Sequence, residues 1–257
     1  MPATDLPLLL DAAAAAGEIA LHYFKADPQV WDKGDDQGPV TEADLAVNAM
    51  LTDRLRTARP DYGWLSEETP DDTARLTTTR QFIVDPIDGT RAFINHSQDW
   101  AHAIAVVEDR RVIAGVVTLP ARGLTFAAVL GNGATLNGRP LRVTDTADPV
   151  QAHVLTTKPN LAPQHWQGGV VPAFTKGFRS SLAYRLCLVA EARFDAMLTL
   201  RPSWEWDIAA GALIVTEAGG TASDRNGQPL MFNNPHPQVN GVLAAGAVHA
   251  ALLAALI

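Results

Sequence analysis

The chain predicts an α+β fold, and three observations carry that expectation. Residues 101–108, 112–119 and 124–130 are apolar segments joined by the short links 109–111 and 120–123, the pattern of an antiparallel meander. Two stretches with helical apolar spacing precede it. Beyond the meander, helix-like and strand-like segments alternate to the end of the chain. With 257 residues, 47% hydrophobic and 19% charged, the chain can bury a large core as one domain or as two closely packed ones.

Taken in order, residues 5 to about 25 read as an alanine-rich helix. The segment has a leader-like look, but it lacks a basic start and carries Asp5, Asp11 and Glu18 through its apolar stretch, as an amphipathic helix does. No run reaches the roughly 18–20 apolar residues needed to span a bilayer, so a cytoplasmic protein without membrane association is expected. Residues 31–38 (WDKGDDQG) are polar and glycine-punctuated, which predicts a mobile loop. Residues 41 to about 58 form the next helix, with Leu45, Ala49 and Leu55 on one face and Pro60 ending it. Residues 81–87 are a short buried strand that runs into a turn at Asp88–Gly89. After the meander, Asn137–Gly138 within GNGATLNGRPL signals a hairpin. Then come a strand at 153–157, a helix at 181–192, a strand at 194–200, a helix at 206–218 closed by Gly219–Gly220, a strand at 241–245 and a helix at 248–256. Pro140 and Pro149 flag a division, giving an α+β unit over 1–145 and an α/β unit over 146–257.

A formal charge of −8 leaves no basic field to neutralise nucleic acid. The single cysteine, Cys187, excludes an intramolecular disulfide and a multi-cysteine zinc site, and reads as helix packing. An anionic substrate would need something cationic between it and the protein, and bound metal ions would serve. Four acidic sites stand out. Glu67 and Glu68 open a loop after Tyr62, Trp64 and Leu65. Asp85 and Asp88 flank Pro86 and Ile87 in FIVDPIDGT. Asp207 opens a helix in WEWDIAAG, and Asp44 lies one turn into the second helix. A carboxylate at the end of a buried strand is costly unless paired or metal-bound. Two carboxylates and the Ile87 carbonyl, converging around a backbone restricted by Pro86, suit a hard divalent cation. Gly89 admits close approach of backbone to ligand, and Thr90 adds a hydroxyl. Each feature also has a bland reading: a DxxDG turn or structural calcium loop, a capping box between Thr41 and Asp44, a solvated Glu67–Glu68 loop, and helix-dipole complementation by Asp207. No G-x-S-x-G elbow, Walker A loop or H-E-x-x-H occurs. His96 and His102 read as loop and strand residues, while Trp204 and Trp206 border the acidic site as candidate substrate contacts.

In combination, WLSEE (64–68), VDPIDGT (84–90) and WDIAAGALIVTEAGG (206–220) resemble the three signature motifs of the inositol monophosphatase family, supported by VTEAD (40–44) and the hairpin at 131–141. The resemblance runs in order from about Lys33 to about Leu230. It implies a layered α/β/α/β/α sandwich of the sugar-phosphatase type, shared with fructose-1,6-bisphosphatase, and a lithium-sensitive, magnesium-dependent phosphomonoesterase, commonly a homodimer. Glu68, Asp85 and the Ile87 carbonyl would hold a first metal, and Asp85, Asp88 and Asp207 a second. A third would sit near Glu67 or Glu68, giving two or three Mg²⁺ per site, with Mn²⁺ as an alternative. Thr90 and Asp44 would orient and deprotonate the attacking water, with Glu68 counted among the catalytic residues as well as the ligands. The Gly89 and Thr90 amides, together with Asp88, would meet the substrate phosphate. Lys33 falls on the family's mobile-loop lysine, whose charge helps hold ions and phosphate. The implied mechanism is in-line displacement by metal-activated water.

Inositol-specific members carry an acid shortly before the W-D motif, where this chain has Thr199 or Leu200; Glu205 is near but adjoins the motif. Residues 177–197 (GFRSSLAYRLCLVAEARFDAM) resemble instead the bacterial 3'(2'),5'-bisphosphate nucleotidase branch. Ser180, Ser181, Arg185 and Glu205 thereby become candidates for substrate contact. The expected substrate is a small phosphorylated metabolite: first adenosine 3',5'-bisphosphate, then inositol 1-phosphate or histidinol phosphate. From a different class, a protein- or RNA-binding regulatory factor with incidental phosphatase activity is an alternative, as is a structural metal-binding domain.

Overall fold

The computed structural model describes residues 5–34 and 38–257. Helix α1 (Leu6–Tyr23) starts after Asp5 with a proline in its first turn and buries Leu9, Ala12, Ala13, Ala16 and Ala20. Strands β1 (Val30–Asp32) and β2 (Pro39–Thr41) pair antiparallel from Val30↔Thr41 to Asp32↔Pro39. The predicted loop at 31–38 is thus in part a hairpin, its edges held by this ladder; residues 35–37 lie outside the described residues. Helix α2 (Glu42–Ala58) begins at a complete capping box between Thr41 and Asp44. That box sets the phase of the helix so that Ala43, Asp44, Val47, Leu51 and Leu55 face inward. The predicted stripe of Leu45, Ala49 and Leu55 is therefore wrong at two of three places, since Leu45 is 44% exposed and Ala49 is exposed as well.

Strands β3 (Gly63–Ser66) and β4 (Arg80–Asp88) pair in parallel, and β4 then leads into the one-turn α3 (Thr90–Ile94). The meander follows as β5 (Ala101–Glu108), β6 (Arg111–Leu119) and β7 (Leu124–Val129), and is extended by β8 (Ala134–Leu136) and β9 (Arg139–Pro140). These form one seven-stranded sheet in sequence order, antiparallel from β4 onward. Between β8 and β9, Asn137 at φ 48° and Gly138 at φ 77° make the turn the Asn-Gly pair predicts.

The second half contributes β10 (His153–Leu155), β11 (Thr175–Gly177), α4 (Leu182–Ala190), β12 (Ala196–Thr199), β13 (Ser203–Trp204), α5 (Glu205–Glu217), β14 (Thr221–Ser223), β15 (Gln238–Val239), β16 (Val242–Ala245) and α6 (His249–Ala255). A five-stranded mixed sheet runs β11-β10-β12-β16-β14, and β13 pairs with β15 beside it. Alternation along the strands sorts the core into layers. Phe82, Val84, Ile104, Val106, Ala114 and Val116 pack with α1 and α2. Ile83, Ala103, Ala105 and Val117 point the other way, onto α4 and α5, whose far side meets Leu155, Met197 and Ala244 of the five-stranded sheet. The opposite face of that sheet packs Leu198, Leu243 and Ala245 against Val248 and Leu252 around α6. The order is helices, sheet, helices, sheet, helix, the sandwich that the resemblance implies. Among the described residues, no helix is long and apolar enough to cross a membrane.

Candidate active site

The sheet puts Asp85 at the edge of the core. Residues 82 to 84 alternate between the two layers, so Asp85 faces the helical layer that holds α5. Pairing with β5 then slips, since Asp85 sits opposite Ala103 and Asp88 opposite Ala101, and the irregular stretch swings Asp88 toward α4. Gly89 takes φ 95°, and a Cβ there would stand 3.1 Å from the Asp99 carbonyl oxygen, so glycine is required at this corner. Helix α5 delivers Asp207 from the other side, on its first turn. Gly115 in β6 lets α5 settle close, because a side chain there would meet Ala210 at 3.0 Å.

As a result, one oxygen each from Asp85, Asp88 and Asp207 lies within 4.8 Å of the others. Asp85 is 1% exposed, and both its oxygens lack a hydrogen-bond partner among the described residues. Burial pushes its carboxyl well above the ordinary range, and the charges of Glu67, Asp88 and Asp207 push it further. Asp207 is raised in the same way, by burial and then by Asp88 and Glu67. Asp88 is raised by burial too, against the pull of the Ser181 hydroxyl and the Ala183 amide, which both donate to its Oδ2 at 2.6 Å. Three crowded carboxylates, of which only Asp88 accepts from hydroxyl or amide donors among the described residues, fit a hard divalent cation, which takes all-oxygen ligands and offsets their repulsion.

Around this trio stand the other predicted groups. Thr90 Oγ1 lies 3.2 Å from both Asp44 Oδ1 and the Ile87 carbonyl oxygen. Asp44 also accepts from the Thr41 amide at 2.9 Å and the Thr41 hydroxyl at 2.5 Å, so it is at once helix cap and Thr90 partner. Burial raises the Asp44 carboxyl to about 6, against the opposing hydrogen bonds from Thr41. Glu68 is raised to about 7, by burial and then by its neighbour Glu67. Lys33 Nζ lies 2.8 Å from Glu67 and 2.5 Å from Glu68. Burial alone would lower its pKa, but these two acids outweigh it and the ammonium is held charged.

The other predicted substrate contacts are engaged by protein groups or lie exposed. Ser181 caps α4 through the Tyr184 amide while holding Asp88. Arg185 is buried against the Phe178 ring and donates to the Arg179 carbonyl, and Ser180 is exposed. Glu205 is 0% exposed, and its oxygens accept from the Asn233 and Asn234 amides and from Asn234 Nδ2. It therefore braces a loop instead of facing a ligand, which corrects its assignment as a substrate contact. The open space beside Asp207 is a cavity of about 500 Å³. Trp204, Trp206, His236, Arg91 and Arg201 line it together with Lys33 and Glu67. The two indoles stack at 4.7 Å and 9°, with His236 tilted on Trp204 at 5.4 Å. Arg201 was findable in the sequence, six residues before Asp207; nothing marks His236, which only folding brings to the wall.

The inositol monophosphatase family profile matches residues 3–257. The chain is 34% identical over 229 residues to inositol monophosphatase 2 of Solanum lycopersicum, covering 85% of this chain and 86% of that protein. It is also 34% identical over 255 residues to the 3'-phosphoadenosine 5'-phosphate phosphatase of Mycobacterium leprae, covering 91% and 86%. Among solved structures, the extragenic suppressor protein suhB of Bartonella henselae superposes with a TM-score of 0.83 at 26% identity, over 98% of this chain and 97% of that one. A match over nearly the whole length, on a fold whose turn and helix deliver the motif carboxylates to one point, places the chain in the inositol monophosphatase family, whose members are metal-dependent phosphatases.

Proposed function

We propose that this phosphatase hydrolyses a small phosphate monoester with two or three Mg²⁺, and that its preferred ester is a nucleoside 3',5'-bisphosphate, adenosine 3',5'-bisphosphate first. The observation that carries the nucleotide reading is the cavity wall beside Asp207. A stacked indole pair offers a flat apolar face to an aromatic base. Arg91 and Arg201 line the same cavity, are exposed, and have no ion-pair partner among the described residues, as suits a second anionic group on the leaving portion. Asp85, Asp88 and Asp207 would hold metal between them, with the Ile87 carbonyl, Glu68 and Glu67 as further oxygen donors. Bound divalent cations supply Lewis-acid polarisation of the phosphoryl group and neutralise its charge. The chain's own part is positional. Ser181 and the Ala183 amide fix Asp88. Thr90 Oγ1 stands between the Ile87 carbonyl and Asp44, so a proton taken up at that hydroxyl passes to Asp44 Oδ1, a carboxylate ionised above about pH 6. The cytoplasmic homodimer implied by the resemblance belongs to the same reading.

Phosphate release in Mg²⁺, with and without EDTA, tests it on adenosine 3',5'-bisphosphate, inositol 1-phosphate, histidinol phosphate and fructose 1,6-bisphosphate. EDTA-sensitive release with the highest kcat/KM on the nucleotide is expected. A preference for inositol 1-phosphate or histidinol phosphate would overturn the nucleotide reading, and release from none would overturn the metal-phosphatase reading as a whole.

A further inference from the structure

The loop from Phe232 to Pro237 supplies Pro235, His236 and Pro237 to the cavity wall, and hydrogen bonds tie it down from two sides. Arg75, on the segment that follows the Glu67–Glu68 loop, is 2% exposed. Its guanidinium forks onto Asp71 at 2.6 and 2.8 Å, donates to Asn233 Oδ1 at 2.5 Å and to the Asn234 carbonyl at 2.9 Å. From below, the buried Glu205 takes the Asn233 amide at 2.7 Å, the Asn234 amide at 2.9 Å and Asn234 Nδ2 at 2.7 Å. Asn234 also bonds the Met231 carbonyl at 2.7 Å and accepts from Arg110 at 2.6 Å, while the Glu205 amide donates to the Pro237 carbonyl at 2.9 Å. Pro235, His236 and Pro237, the wall itself, lie between these ties. Glu205 lies between the stacked Trp204 and Trp206 in sequence and two residues before Asp207, so one buried acid joins the wall to the metal-facing turn of α5.

A charge as buried as Glu205 is stable only when its oxygens are fully hydrogen-bonded. Here all the donors come from one loop, so the loop's position and the acid's burial depend on each other. Asp71, the other partner of Arg75, lines the same cavity. We infer that Arg75 and Asn234 are positioning residues that set substrate preference: they clamp the Phe232–Pro237 loop against Glu205, hold His236 on Trp204, and so shape the pocket for the leaving portion of an aromatic, doubly anionic ester. Neither touches the phosphate being transferred. The inference rests on the nucleotide reading above, and its signature is selective. Esters that reach the wall depend on the clamp, and small esters do not.

The test compares Asn234→Ala and Arg75→Lys with the native protein on adenosine 3',5'-bisphosphate and on 2-glycerophosphate, alongside circular dichroism of the stacked indole pair. Asn234→Ala removes side-chain bonds but leaves the backbone amide to Glu205. Arg75→Lys keeps the charge and loses the fork. KM for the nucleotide should rise about tenfold in both, as expected for loss of charged hydrogen bonds, with kcat and the 2-glycerophosphate kinetics within about twofold. The exciton signal of the indole pair should weaken in both. Equal losses on the two esters, or no change on either, would overturn the inference. If the native protein cleaves neither ester, the functional reading has failed. The indole signal then decides the clamp alone, its retention in both variants overturning it and its loss supporting it.

Discussion

Replacing Asp85 by asparagine should make the metal-free protein more stable and the enzyme inactive. Asp85 is buried with both oxygens unpartnered among the described residues, and Asp88 and Asp207 crowd it. Two charges within 4.8 Å of each other repel by roughly 3.5 kcal/mol or more at an effective dielectric constant of about 20. Uptake of a proton caps that cost, so about 2 kcal/mol of relief is expected at pH 8, or roughly 4–8 °C in Tm for a chain of this size. The new amide can donate to a neighbouring carboxylate, so it is not left without a partner. The sign with pH follows from the raised carboxyl. Folded Asp85 holds its proton where the unfolded chain, with an ordinary value near 4, has released it. Native stability without metal therefore falls as pH rises above about 4, and the advantage of asparagine grows over the same window. Divalent metal should reverse the order. Saturation at about 100 times Kd adds roughly 2.7 kcal/mol to the native protein and little to the variant. The assay is thermal melting at pH 5 and pH 8, in EDTA and in Mg²⁺, beside phosphate release, which should drop by about 10³-fold or more with several kcal/mol of charge stabilisation gone. A variant that melts below the native protein in EDTA at pH 8, or that gains as much from Mg²⁺, would refute the reasoning.

Three further outcomes are expected. Thr90→Val removes the hydroxyl between Asp44 and the Ile87 carbonyl and should slow phosphate release by about 10²- to 10³-fold with Mn²⁺ affinity little changed, whereas Thr90→Ser should retain most activity; equal rates for the two variants would count against the proton path. Lys33→Gln removes the cation that favours ionised Glu68, so in metal-free protein the Glu68 carboxyl, already raised to about 7, should titrate higher still in a pH titration in EDTA; a titration that stays or moves down would contradict this. Gly211→Ala places a Cβ 2.6 Å from Leu186 Cδ1 and 2.7 Å from its Cβ, forcing α4 and α5 apart, so chemical denaturation should show a loss of about 1–3 kcal/mol despite alanine's better helix propensity.

The parts of the site that were legible are those made by neighbours in sequence. Asp85, Ile87, Asp88 and Thr90 lie within six residues, and a strand end with a left-handed glycine leaves their geometry little freedom. The Thr41–Asp44 box and the Asn137–Gly138 turn were readable for the same reason. Helix α2 was harder. Its composition offers two stripes, and only packing against α1 and β4 buries Val47 and Leu51 while leaving Leu45 outside. The short strand β1 could not be told from a loop, since its three residues are all exposed and only the β2 ladder defines it. Glu205 looked like a ligand contact because it adjoins the W-D motif, yet its partners are Asn233 and Asn234, 28 and 29 positions away.

Local periodicity and turn chemistry were sufficient for the α+β class, the meander and the helices, because each depends on interactions between residues a few positions apart, whereas the acidic residues were joined into one set by the resemblance of their motifs to the inositol monophosphatase family. Convergence of Asp207 with Asp85, the dual use of Asp44, and the cavity wall that joins Arg75 to Asn233 across 158 positions came only with the tertiary structure. Nothing in a side chain's near neighbours encodes which distant group it will meet. That is decided by how two sheets and the helices between them share one buried volume, and the substrate-facing surface is formed where they join.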